Sequence, residues 1–122
     1  NNKALPLNVY GDGMKKAILL MSAVVKANDG ILLLDEFETA IHTSAMERTF
    51  KWILETCKKL NVQVFMTSHS IEAISKVLKC CPDMEKDIRM ITLVETLNGI
   101  KARNVDATKA IKLKEQYGLE LR

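Results

Sequence analysis

The stretch Ile31-Leu32-Leu33-Leu34-Asp35-Glu36 decides how this chain is read. Four consecutive large apolar residues run straight into two carboxylates. A short continuous apolar run predicts a strand buried on both faces, as in a parallel sheet. Acids at its end project from the carboxyl edge of that sheet, where open α/β folds place ligands. Two adjacent acids suit divided labour at a phosphate: one holds Mg²⁺, directly or through water, and the other orients or deprotonates an attacking water. The plainer reading is a buried strand followed by a solvated acidic turn.

Working outward, Met14, Ile18, Met21 and Val25 step at four, three and four residues before the strand, one face of a helix. Asn28-Asp29-Gly30 stops that helix. After the strand, 37–42 reads as a loop. Ser44 and Glu47 have capping-box spacing, which predicts a helix starting near Ser44 with Met46, Phe50, Ile53, Cys57 and Leu60 inward. Asn61 ends it. Val62 to Met66 is the next strand, closed by Thr67-Ser68-His69-Ser70, and a helix follows over 70–79. Asn98-Gly99 between two apolar runs predicts a hairpin. Asp106 then caps a last helix, with Gly118 just after it.

This order makes an α/β fold in one domain over 1–122. From Asp35 to His69 the chain forms one strand–helix–strand crossover, which puts both strands parallel. Asp35, Glu36 and His69 therefore emerge at one sheet edge, where a histidine can donate to a phosphate oxygen. Gly11-Asp12-Gly13 opens the first helix. Its glycines and unpaired N–H groups suit a phosphate, and Lys15 and Lys16 sit more comfortably there beside an anion. A glycine turn with a solvated lysine pair is the plainer reading.

Composition narrows the classes. Hydrophobic residues make up 48%, enough for a core. Eighteen basic against fifteen acidic side chains leave +3, too little to argue for nucleic acid by itself. Three cysteines without framework spacing fit reduced thiols in a cytoplasmic protein. No apolar run has the length of a membrane span, so no membrane partner is expected. Asp35, Glu36, Glu38, His42 and His69 include metal-ligand types, but no His-x-x-x-His or Cys-x-x-Cys spacing supports a metal-dependent hydrolase built on them. A helicase-type motor and a non-catalytic interaction or regulatory module are further alternatives.

Three motifs in order carry a resemblance: Tyr10-Gly11-Asp12-Gly13-Met14-Lys15-Lys16, Leu32-Leu33-Leu34-Asp35-Glu36 and Thr67-Ser68-His69-Ser70. Together they resemble the C-terminal lobe of an ABC-type ATPase, in the OLD-like and RecF/SMC-like group of AAA-family ATPases. Asp35 to His42 and Tyr117 to Arg122 are similar to that branch in particular. The resemblance implies a three-layer, mainly parallel sheet of P-loop NTPase type with a C-terminal β-hairpin and helix. It implies ATP and Mg²⁺ as cofactors, and a homodimer of heads closed around ATP, with DNA as a candidate partner. Gly11, Asp12 and Gly13 would be the signature loop, contacting ATP held by the other protomer. Asp35 would be the Walker B acid, Glu36 the catalytic glutamate, Ala40, Ile41 and His42 the D-loop, and His69 the switch histidine. Tyr10 stands where a signature serine often sits. No Gly-x-x-x-x-Gly-Lys-Ser/Thr occurs anywhere. The chain also opens Asn1-Asn2-Lys3 without a starting Met. The expectation is therefore a C-terminal fragment, inactive alone, whose P-loop half lies N-terminal to it or on another chain.

Overall fold

The computed structural model describes residues 11–106, together with 109 and 112. The chain divides into two compact units, residues 1–69 and 70–122. The expected last helix and the 117–122 segment lie outside the described residues.

In the first unit, α1 (Asp12–Lys26), β1 (Ile31–Leu34), α2 (Met46–Lys59) and β2 (Gln63–Met66) follow in order. β1 and β2 pair in parallel, from Ile31 opposite Gln63 to Leu34 opposite Met66. Two matching turns set that register. The turn after α1 passes through Asp29 and the turn after α2 through Asn61, both with positive φ, a conformation that Asp and Asn tolerate better than most residues. The Asn61 amide donates to the Asp29 carboxylate at 3.2 Å, and the Asp29 N–H donates to the Leu60 carbonyl at 2.9 Å. Both strands thus leave their turns already in step. The ladder continues at the other end, where Thr67 N–H donates to Leu34 and Phe37 N–H to Thr67.

The core of this unit gathers Leu20 and Val24 of α1, Leu32 of β1, Phe37, and Met46, Phe50, Ile53, Leu54 and Cys57 of α2. The expectation that β1 is buried on both faces is not met. Leu32 is 7% exposed, but its neighbour Leu33 is 71% exposed and Ile31 is exposed with it. A run of four apolar residues announces burial without saying which face is covered, and this two-stranded sheet covers one.

The capping box also fails to form. α2 starts at Met46, with no side-chain cap at Ala45, and Thr43–Ala45 is a short 3₁₀ turn. The Ser44 hydroxyl instead meets Nδ1 of His42 at 3.0 Å, a local partner that competes with the helix terminus.

The second unit holds α3 (Ile71–Cys80) and the hairpin β3 (Arg89–Thr96) and β4 (Gly99–Asp106). Ser70 caps α3, its hydroxyl accepting from the Ala73 N–H at 3.2 Å. Leu78 and Val105 form a small core with Ile74, Ile88 and Met90 around them. The hairpin loop is Leu97-Asn98 rather than Asn98-Gly99: Thr96 pairs with Gly99, whose φ of 101° supplies the left-handed residue. Asp106 ends β4 and accepts from Arg89 at 3.1 Å. The described residues thus make a small α/β architecture with one short parallel and one antiparallel sheet.

Candidate functional site

Parallel pairing brings the ends of β1 and β2 to one edge, and the side chains there are tied together. The Thr67 hydroxyl accepts from the Glu36 N–H at 2.9 Å and donates to the Asp35 carboxylate. Glu36 sits at φ 45°, ψ 54°, a left-handed conformation that costs a non-glycine residue about 1–2 kcal/mol. Such strain persists where the surroundings hold it. Here the holders are Thr67 on one side and, on the other, the Thr39 hydroxyl donating to the Glu36 carbonyl at 2.9 Å. Phe37 follows directly and is buried edge-on against Phe50, ring centres 4.9 Å apart. The acidic turn is therefore seated on the core while its carboxylates stay exposed. Nε2 of His69 lies 3.7 Å from Oε1 of Glu36, with the two side chains 89% and 53% exposed. The expected meeting of Asp35, Glu36 and His69 is what the structure shows.

Glu38 is the member of this edge whose role sequence reasoning missed. Its Oε1 accepts from the His69 N–H at 3.0 Å. Its Oε2 is buried and has no hydrogen-bond partner among the described residues. Burial pushes the carboxyl upward in pKa. Its own backbone N–H, the Ser68 hydroxyl, the His69 N–H and the charge of His69 together outweigh that and hold it below its ordinary value. Two acids flanking Phe37 were visible in the sequence. The missing signal was a contact to a loop 31 positions away.

A second group lies in a hollow lined by Gly13, Lys16, Glu38, Thr39, Ala40, Ile41 and His42. It joins one residue of the glycine opening to all three expected D-loop residues; Gly11 and Asp12 are not among its lining. Ile41 is buried, so its side chain serves the core. Both lysines have partners within the chain: Lys16 donates to the Thr39 carbonyl at 3.1 Å, and Lys15 makes a long ion pair with the Asp12 carboxylate at 4.0 Å. Among the described residues, a Cβ built at Gly11 or Gly13 meets nothing within 4 Å. Space among those residues therefore does not require glycine at either position.

Asp35 offers hard carboxylate oxygen at the edge, the donor type that suits Mg²⁺ shared with phosphates. No group of three or more His, Cys, Asp or Glu side chains able to hold a metal occurs among the described residues. No described helix is long and apolar enough to cross a membrane.

A family model described as "AAA domain, putative AbiEii toxin, Type IV TA system" matches residues 1–75, more than half the chain. The chain belongs to this AAA-domain family. Membership supports a nucleotide-binding ATPase function in general. The match spans all of the edge residues and the hollow. An uncharacterized protein of Methanocaldococcus jannaschii is 28% identical over 112 residues, 92% of this chain and 98% of that protein. An "ATP/GTP phosphatase" of Helicobacter pylori is 37% identical over 81 residues, 62% of this chain but 22% of that protein. The part of this chain that aligns thus spans about a fifth of the longer relative. No solved structure matches.

Proposed function

We propose that this AAA domain is the Walker B lobe of an ABC-type ATPase of the OLD-like and RecF/SMC-like branch, with ATP hydrolysed between two heads. The observation that carries the reading is the shared edge of Asp35, Glu36, Thr67 and His69, held by Thr67 at the ends of two parallel strands. Glu36 lies at 3.7 Å from His69, so one group can orient water while the other meets the terminal phosphate. Asp35 would hold Mg²⁺, which neutralises charge developing on the phosphates. The phosphatase named in Helicobacter pylori supports hydrolysis of a nucleoside triphosphate. A P-loop half supplies the remaining phosphate contacts, and the whole core forms a three-layer sheet. Gly11 to Gly13 and the Ala40 to His42 turn face the nucleotide of the partner head. The test is Glu36→Gln in the complete protein: ATP binding is retained and turnover falls by about 10²–10⁴, the usual worth of a positioned base. Wild-type turnover in that variant overturns the assignment.

A further inference from the structure

We propose that Glu38 is a positioning residue for this hydrolysis, fixing where the His69 imidazole stands relative to Glu36. The inference rests on the ATPase reading above and adds a residue to it. Three observations converge on Glu38.

First, its carboxylate is a direct link between the turn after β1 and the part of the following loop that carries His69, beyond the links made by Thr67. Oε1 accepts from the His69 N–H at 3.0 Å, and the Ser68 hydroxyl bonds the same group. The loop carrying His69 is thereby tied through its own backbone, one bond from the residue whose ring must be placed. The ring itself is 89% exposed, so its position depends on what holds that backbone.

Second, the base of this link is rigid. Glu38 lies in the 3₁₀ turn Phe37–Thr39. Phe37 before it is buried against Phe50, and Thr39 after it bonds Glu36 through its hydroxyl and Lys16 through its carbonyl. A carboxylate on such a base can set a neighbouring loop to the fraction of an ångström that catalysis requires.

Third, the arrangement is costly for folding alone. Oε2 is buried without a hydrogen-bond partner among the described residues, and an unsatisfied buried acceptor destabilises a fold. Glu38 also lines the hollow with Gly13, Lys16 and His42. It is the residue common to the His69 loop and to the hollow, so contacts made in the hollow reach His69 through one side chain.

The experiment compares Glu38→Ala and Glu38→Gln with Glu36→Gln in the complete protein, measuring kcat and KM for ATP and amide exchange at His69. Glu38→Ala should lower kcat by about tenfold or more while KM stays within about threefold, as expected when geometry rather than binding is lost. Its His69 N–H should exchange faster. Glu38→Gln keeps a side-chain carbonyl for that N–H and should recover most of kcat and of the protection. Wild-type kcat in Glu38→Ala, or no recovery in Glu38→Gln, overturns the proposal. Wild-type turnover in Glu36→Gln instead overturns the ATPase reading, and unchanged His69 exchange in Glu38→Ala counts against Glu38 alone.

Discussion

The carboxyl edge of β1 and β2 and the glycine opening of α1 are both places where the sequence points to phosphate, and they are built in opposite ways. At the edge, Glu36 is held left-handed by two threonine hydroxyls, and Phe37 anchors the turn in the core. At the opening, the helix start at Gly11 has no side-chain cap, Asp12 is almost fully exposed, and no described residue crowds either glycine. The edge is tied together by hydrogen bonds within one chain, whereas at the opening no described residue packs against the glycines. Pre-organised groups act on a ligand at little further cost, whereas a bare helix terminus offers N–H groups and a dipole to whatever anion arrives. The contrast supports an edge that works in cis and an opening that works in trans.

The strongest way to break this contrast is to remove the floor of the edge. Phe50 is fully buried beneath Phe37, and Phe50→Ala should cost about 3–5 kcal/mol in chemical denaturation. A loss below about 1 kcal/mol means the acidic turn does not rest on that packing.

A smaller effect sharpens it. Thr67→Val removes the hydroxyl that serves both Glu36 and Asp35 while keeping the side chain's shape. It should cost about 0.5–1.5 kcal/mol, and Thr67→Ser should restore most of that. Equal stability of Thr67→Val and wild type would show that Glu36 keeps its conformation without the clamp.

The smallest effect belongs to the opening. Gly13→Ala places a methyl in open space within α1 and should leave stability unchanged or raise it by about 0.5–1 kcal/mol. Marked destabilisation by the same denaturation assay would mean that the glycine serves this chain's own fold.

Much of this arrangement was legible in the sequence. Periods of three and four residues located α1, α2 and α3, and the crossover from Asp35 to His69 placed both acids and the histidine on one edge. What stayed hidden depends on partners far along the chain. Nothing near Thr67 announces that its hydroxyl reaches Asp35 and Glu36 more than thirty positions away, nor that Glu38 takes the His69 N–H. Ser44 and Glu47 have the spacing of a cap, yet His42 claims the Ser44 hydroxyl. Leu33 looks like core by composition, and only the pairing shows that its face is open. Local spacing fixes elements; long-range hydrogen bonds fix the site.

The central claim is that each hydrolytic site joins the edge of one head to the opening of the other. The most direct measurement mixes two inactive variants of the complete protein, Gly13→Arg and Glu36→Gln, and follows ATP turnover. A mixed dimer then holds one site with an intact Glu36 from the first variant and an intact opening from the second. The account predicts that activity returns on mixing, toward about half the wild-type rate for a randomly exchanged dimer with one working site in two, scaled by the share of mixed dimers. Mixed dimers that form, shown by differential tagging, and remain as inactive as either parent would contradict it.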